Sequence, residues 1–178
     1  MLKCSKLMMS IVNNPKPVIA EVSGVATAAG CKLVASCDLS YASKSAKFAT
    51  PGVNIGLFCS TPMVALSRVV STKHSMEMLL IGDLISSNKA AEIGLINEVV
   101  EDKILQSFVL EKALKISKKS SMTLKIGKTA FYKQIDMTLS EAYDFASNVM
   151  VQNMLKLDAE EGIDAFIEKR PPSWKDKW

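Results

Sequence analysis

The spacing of hydrophobic and polar positions changes near residue 100. Before that point, short β-branched apolar runs alternate with helical stretches, as in an α/β domain. The predicted strands lie at VIAEVSG (18–24), at LSYASKSAKFAT (39–50, two strands joined by a polar turn) and at LINEVV (95–100). After this point the spacing is helical to the end. One apolar face there is formed by Leu105, Phe108, Val109, Ala113 and Ile116. We therefore predict a core at 1–100 and a helical region at 101–178.

Turn and capping residues mark the ends of several predicted helices. Gly82 and Gly94 each follow a helical stretch and are expected to end it. Thr138 and Glu141 have the T-x-x-E spacing of a capping box, which predicts a helix start. An acidic break before Gly162 is expected to separate the last helix, IDAFIEKR, from the one before it.

The first fourteen residues, MLKCSKLMMSIVNN, are basic, amphipathic and contain serine. Mitochondrial transit peptides share these properties. The alternative is a surface helix that leads into the first strand, with Leu7, Met8 and Ile11 on its apolar side. We favour the helix.

Composition favours a globular domain of one sizeable core. Of the 178 residues, 48% are hydrophobic and 22% are charged. The mean hydropathy of +0.17 favours an apolar surface for a partner subunit. No apolar run approaches the ~18–20 residues that span a bilayer, so we expect no membrane insertion. The net charge of +4 is dispersed, without a zinc-finger spacing or a basic run with aromatics, so we expect no nucleic-acid partner.

The four cysteines, Cys4, Cys31, Cys37 and Cys59, form no C-x-x-C pair. A chain of this length has enough core to fold without disulfides. We interpret them as reduced and mostly buried thiols. We expect no metal site.

The segment VIAEVSGVATAAGCKL (18–33) predicts a strand, a turn of small residues and a helix start. A helix N-terminus carries unpaired backbone N–H groups, and its dipole favours negative charge there. Small residues allow a ligand carbonyl to approach the backbone. The pattern is compatible with half of an oxyanion hole, and also with close packing between strand and helix.

The same residues belong to a longer resemblance. KPVIAEVSGVATAAGCKLVASCDLSYAS, AKFATPGVNIGLF, MEMLLIGDLISSNKAAEIGLINEVV and EGIDAFIEKR resemble, in order, segments of the crotonase (enoyl-CoA hydratase/isomerase) superfamily. The resemblance implies a ClpP/crotonase-like α/β spiral of strand–strand–helix units with a C-terminal helical trimerisation region. It implies an acyl-CoA ligand, a homotrimer or hexamer, a mitochondrial location and no cofactor other than the coenzyme A thioester. The family's A-F-x-x-G-x-D-L segment, which supplies a second oxyanion donor and cradles adenine, is not in this sequence, so we expect an N-terminally truncated family member.

The resemblance also assigns roles to individual residues. Ala29 occupies the position of one backbone oxyanion-hole donor. The two glutamates that act in hydratases are replaced by Lys32 and Gly52. Hydration needs one group to activate water and one to deliver a proton, and a paired set of carboxylates does both. Neither replacement supplies a carboxylate, so we predict that normal hydratase activity is absent.

Further candidates lie elsewhere in the chain. Cys59 and Ser60 lie in a loop that lines the acyl pocket in the family, and Cys59 is also a candidate nucleophile. His74 and Asp38 are interpreted as structural, with His74 as a candidate base. In the last helix, Phe166 and Lys169 match positions where a neighbouring subunit covers coenzyme A. The alternative is an ordinary amphipathic helix whose lysine is solvated, because it would have the same sequence pattern. The predicted substrate-binding residues are therefore Cys59, Ser60, Phe166 and Lys169.

The predicted function is therefore acyl-CoA binding in mitochondrial fatty-acid metabolism, without normal hydratase activity. Two alternatives stand beside it. The first is an active crotonase-type hydratase, isomerase or other acyl-CoA lyase that uses the oxyanion hole with different side chains. The second is a structural subunit of a hetero-oligomer.

Overall fold

A computed structural model describes residues 2–176 of the chain. The chain divides into two compact units. The first contains the residues up to 14 together with 18–113, and the second contains 15–17 together with the residues from 114 onward. The helical region starts near residue 101, as the sequence indicates, but the units divide later, inside a helix at Leu105–Ser117.

The first unit alternates helices and short strands. Its helices are α1 (Leu2–Val12), α2 (Ala29–Ser36), α3 (Ser60–Val69), α4 (Thr72–Ile81) and α5 (Ser87–Glu92). Its strands are β1 (Ile19–Val22), β2 (Val25–Thr27), β3 (Leu39–Ser43), β4 (Lys47–Ala49), β5 (Ile85–Ser86) and β6 (Glu98–Val100). Two 3₁₀ turns lie at Pro51–Ile55 and Asp102–Ile104. The α6 helix (Leu105–Ser117) crosses into the second unit.

The six strands form two small sheets. One has the order β1-β3-β6 and is parallel, and the other has the order β2-β4-β5, with β4 and β5 antiparallel. The predicted strands of LSYASKSAKFAT both form, but they lie in different sheets. The short strand β5 follows a helix and was not predicted, because two residues carry no readable period. β2 leads directly into α2, which places the start of that helix at a sheet end.

The main core lies between the sheets and helices α2 to α5. Its most completely buried side chains include Phe48, Leu66 and Cys31. The predicted N-terminal helix forms as α1, and Ile11 is buried, but Leu7 is 52% exposed. The predicted stops are also confirmed, because Gly82 and Gly94 adopt left-handed φ values of 75° and 83°.

The second unit is helical, with α7 (Ser121–Gln134), α8 (Leu139–Met154) and α9 (Leu157–Ile167). The capping box of Thr138 and Glu141 is present at the start of α8. The predicted break before Gly162 is wrong, because α9 begins at Leu157 and runs through that glycine. The acidic residues form its first turn, where the helix dipole favours negative charge. A Cβ at Gly162 would lie 3.3 Å from the Trp174 ring, so the glycine admits the tail's indole.

Acidic side chains of α9 hold the C-terminal tail of this unit. Asp158 is 2% exposed and accepts hydrogen bonds from the Ser120 hydroxyl and from the backbone amides of Lys175, at 2.7 Å, and Asp176, at 3.2 Å. Glu161 pairs with Arg170 at 2.7 Å. That guanidinium, with the Ser173 amide, lowers the pKa of Glu161 to about 2.

We expect Asp158→Asn to lower the free energy of unfolding by about 1–3 kcal/mol, because the amide leaves part of a buried donor set unsatisfied. Denaturant unfolding followed by circular dichroism measures the change. Asp164→Asn, at an exposed position of the same helix, is the matched control and should stay within about 0.5 kcal/mol. Equal unfolding midpoints for the two variants would contradict a structural role for the buried carboxylate.

Candidate functional site

The residue before α2 joins the sheet to the helix through its backbone. The Ala28 amide donates to the Ala49 carbonyl at 3.0 Å, and the Ala28 carbonyl accepts from the Lys32 amide at 3.0 Å. Ala28 has φ 46° and ψ −106°. A positive φ of this size is one that L residues rarely adopt. Such a conformation persists where surrounding contacts over-determine it, and it is enriched at functional sites.

The bond between Ala28 and Lys32 is the first of the helix, so the amides of Ala29, Gly30 and Cys31 precede the intrahelical ladder. These three N–H groups, aligned with the helix dipole, can bind the oxygen of a polarised carbonyl. Ala29 is the first residue of α2, where the sequence placed the backbone donor. Its role in binding stays a prediction.

Lys32 lies on this helix with only 4% of its surface exposed. Its carbonyl accepts the Ser36 hydroxyl at 2.8 Å. Among residues 2–176, no hydrogen bond or ion pair reaches its ammonium group. Within that range only Asn153 Oδ1 is a fully buried side-chain polar atom without a partner, so the Lys32 amine keeps some contact with solvent. The aliphatic stem is buried while the charged end reaches out.

Gly52 lies in the 3₁₀ turn, and the loop that follows folds back onto it. Its amide donates to the Cys59 thiol at 3.3 Å, and its carbonyl accepts from the Leu57 amide at 2.9 Å. A Cβ at this position would lie 2.6 Å from the Leu57 carbonyl oxygen and 2.9 Å from the Cys59 sulfur. Real Cβ atoms do not approach other atoms so closely. Any side chain at this position, glutamate included, therefore requires the loop backbone at Leu57 to move.

The two central cysteines are part of the core. Cys59 is 8% exposed and Cys31 is 1% exposed. Burial, with the neighbouring Cys59, raises the pKa of the Cys31 thiol to about 12, so that thiol is not an available nucleophile. Ser60, at the start of α3, is exposed and donates to the Phe58 carbonyl at 3.3 Å. Cys4 and Cys37 are half-buried thiols.

The remaining candidates of the first unit are structural in character. An oxygen of Asp38 accepts the Val18 amide at 2.6 Å and so ties the end of α2 to the start of β1. His74 is exposed on α4 and lies 3.5 Å from Glu77. It borders a cavity of about 160 Å³ whose lining mixes charged and apolar side chains: Glu77, Met78, Ile81, Asp83, Ile85, Lys89 and Ile93.

Phe166 and Lys169 belong to the second unit. Phe166 is 82% exposed near the end of α9, and Lys169 follows the helix with φ 55°. Both side chains are therefore presented at the surface, and their contact with coenzyme A stays a prediction. In the part of the chain that the structure describes, no cluster of three or more His, Cys, Asp or Glu side chains could hold a metal ion. None of the helices described is both long and apolar enough to cross a bilayer.

Two features of this site are not visible in the sequence. Small residues from Gly24 to Gly30 indicate a tight turn, but they do not identify Ala28 as the residue with a left-handed φ. The contact between Gly52 and Cys59 joins positions seven residues apart in a loop without a periodic pattern. The replacement of both family glutamates, by Lys32 and by Gly52, was visible beforehand through the family resemblance.

We expect Gly52→Ala to destabilise the first unit by about 1–3 kcal/mol, because the methyl group must displace backbone. Gly24→Ala is the matched control: a Cβ there meets nothing within 4 Å, and its φ lies outside the left-handed range. That control should stay within about 0.5 kcal/mol. Chemical denaturation measures both, and an unchanged midpoint for Gly52→Ala would show that the loop does not close on this glycine.

Comparisons with known proteins agree with this arrangement. The family model described as enoyl-CoA hydratase/isomerase matches residues 2–177. Mouse enoyl-CoA hydratase domain-containing protein 3, mitochondrial, is 52% identical over 96% of this chain and 57% of that protein. The human protein of the same name is 51% identical over 96% of this chain and 56% of its own length. The chain thus spans less than two thirds of the curated relatives it matches.

Solved structures show the same fold. A crystal structure of human enoyl Coenzyme A hydratase domain-containing protein 3 has a TM-score of 0.95 and 51% identity, covering 97% of this chain and 68% of that one. An enoyl-CoA hydratase from Mycobacterium smegmatis has a TM-score of 0.95 and 46% identity, covering 97% and 67%. The expected crotonase fold is confirmed, and the chain belongs to the enoyl-CoA hydratase/isomerase (crotonase) family.

Proposed function

We propose that this chain binds acyl-CoA thioesters at the N-terminal end of α2 and does not catalyse normal enoyl hydration. The observation that carries the proposal is the closed environment of Gly52, together with Lys32 at the other glutamate position. The site keeps the backbone donors of the family and lacks its acid and base. The matched relatives are named as mitochondrial, which supports a mitochondrial role in fatty-acid metabolism.

The thioester carbonyl is the part of the ligand that fits the start of α2. The amides of Ala29, Gly30 and Cys31 precede the helix ladder, and the dipole adds partial positive charge there. The oxygen of a thioester carries partial negative charge, and more in an enolate. Ala28 turns the chain so that the amides follow the end of β2 directly. These donors are therefore suited to hold a thioester in one orientation.

The acyl chain requires an apolar surface next to this point. The loop after Gly52 exposes three large apolar side chains, of Ile55, Leu57 and Phe58. It then enters α3, which packs against α2. This loop is suited to cover an acyl chain, in agreement with the pocket-lining role assigned to Cys59 and Ser60. Cys59 itself is buried and would contribute indirectly, because its thiol accepts the Gly52 amide and so holds the loop in place.

Hydration is disfavoured by geometry and by charge. Adding water to an enoyl thioester needs a base for the water and an acid for the α-carbon. No carboxylate occupies either position, and a glutamate at position 52 would overlap the Leu57 carbonyl and the Cys59 sulfur. Replacing the two residues with glutamate is therefore insufficient to restore the reaction.

Assembly is a second part of the proposal. The helices of the second unit expose many large apolar side chains, including Leu139 at 76%, Leu155 at 75%, Phe166 at 82% and Ile167 at 69%. A monomer rarely keeps apolar surface of this extent in water. We infer that these helices associate in a homotrimer or hexamer, in which Phe166 and Lys169 would cover coenzyme A bound to a neighbour.

We expect crotonyl-CoA to bind without being hydrated. In ¹⁵N-labelled protein the amide resonances of Ala29, Gly30 and Cys31 should shift on titration, while the enoyl absorbance of crotonyl-CoA decreases no faster than in buffer alone. The double variant Lys32→Glu, Gly52→Glu should remain equally inactive, because the second side chain displaces the loop backbone at Leu57. Turnover at the rate of a working hydratase, or shifts confined to other regions, would contradict the proposal.

Sedimentation at micromolar concentration should give three or six times the 19.4 kDa mass of one chain. The physical reason is the apolar surface of α8 and α9, whose burial is favourable by about 25 cal/mol per Å². A stable monomer under these conditions would rule out the assembly.

A further inference from the structure

Lys32 is a mostly buried lysine whose ammonium group reaches solvent and has no counter-charge in the described part of the chain. It is 4% exposed, and no carboxylate, hydroxyl or carbonyl of residues 2–176 contacts its ammonium group. Charged side chains are rarely buried to this extent unless they are paired. The first turn of α2 contains no acidic residue. The ammonium group is therefore available to pair with an anionic group of a ligand.

The position of Lys32 directs that anion to the start of α2. Side chains three residues apart share one face of a helix, with Cβ atoms roughly 5–6 Å apart. Cα–Cβ bonds also tilt toward the helix N-terminus, so a lysine in the second turn covers the first. Lys32 and Ala29 have this spacing. The ammonium and the amides of Ala29, Gly30 and Cys31 thus favour negative charge at the same place.

We propose that Lys32 and the first-turn amides of α2 select a short carboxyacyl thioester, such as the malonyl or succinyl ester of coenzyme A. The inference rests on the proposed acyl-CoA site and adds the chemical class of the acyl group. The amides bind the thioester oxygen, and Lys32 pairs with the carboxylate at the far end of the short acyl chain. No bond is made or broken in this step.

The positive charge of Lys32 distinguishes carboxyacyl groups from neutral acyl groups. A glutamate at this position, which the family resemblance implies for hydratases, would repel an acyl carboxylate. A lysine attracts it, and a neutral acyl chain offers the lysine no counter-charge. The fit is best for a short carboxyacyl group, because one helical turn separates Lys32 from Ala29.

The test compares malonyl-CoA, butyryl-CoA and free coenzyme A on the whole chain by calorimetry. Unmodified protein should bind malonyl-CoA more tightly than butyryl-CoA. The variant Lys32→Met keeps the length of the side chain and removes its charge. It should lower the ratio of malonyl-CoA to butyryl-CoA affinity by about tenfold or more.

Lys73→Met, at an exposed lysine of α4, is the matched control and should leave this ratio unchanged. Thermal unfolding supplies a readout that needs no ligand. Lys32→Met should unfold at the same or a higher temperature, because it keeps the packing of the buried stem and removes no ion pair or hydrogen bond of the described chain. A clear drop in unfolding temperature would show that Lys32 has a partner within the folded protein, and would overturn the inference.

The ligand comparison separates the remaining outcomes. If butyryl-CoA binds but Lys32→Met leaves the affinity ratio intact, this inference fails and the proposed acyl-CoA site stands. If the variant weakens free coenzyme A as strongly as malonyl-CoA, Lys32 contacts phosphate and the carboxylate assignment is wrong. If free malonate binds through Lys32 as tightly as malonyl-CoA, the thioester is not part of the site. If neither ester binds, both this inference and the proposed function fail.

Discussion

The hydrogen bonds of Ala28 are the constraint on which the site depends. Its amide extends the pairing of β2 with β4 by reaching the Ala49 carbonyl, and its carbonyl accepts the first hydrogen bond of α2. One residue therefore belongs to a sheet and to a helix at once. The two requirements together place it at φ 46°, and they leave the amides of Ala29, Gly30 and Cys31 at the start of the helix. Any ligand oxygen at this point meets donors that were ordered during folding, so that binding need not order them.

The loop at Gly52 shows that the departure from a hydratase involves more than two substitutions. The Cys59 thiol accepts the Gly52 amide, and the Leu57 carbonyl occupies the space where a side chain would begin. This packing depends on the glycine, because any side chain there would require the loop backbone to move. The other position has reversed its charge, from the carboxylate of a hydratase to the ammonium of Lys32. Both changes leave the first-turn amides of α2 in place, and neither position carries a carboxylate.

The second unit is held by a separate set of interactions. The buried Asp158 carboxylate collects the tail amides, Trp174 donates to the Lys118 carbonyl at 2.7 Å, and Arg170 pairs with Glu161. These contacts anchor residues after α9 without drawing on the apolar faces of α8 and α9. The apolar faces therefore stay exposed, with leucine and phenylalanine side chains at the surface. The tail is fixed by hydrogen bonds and an ion pair that do not use them.

The sequence by itself determined the elements with strong local signals. β-branched runs gave strands, glycine gave the stops at Gly82 and Gly94, and the pair Thr138 and Glu141 gave a capping box, because each depends on neighbours a few residues away. The resemblance named the crotonase fold and the replaced glutamates. Only the tertiary structure decided that β3 and β4 lie in different sheets, that Gly162 leaves space for an indole beside α9, and that the Leu57 carbonyl lies close to Gly52. It also decided that the Lys32 stem is buried and that its ammonium group has no partner among residues 2–176. Each of these depends on atoms brought together from distant or aperiodic segments, and a local pattern of hydrophobic and polar residues carries no record of such contacts.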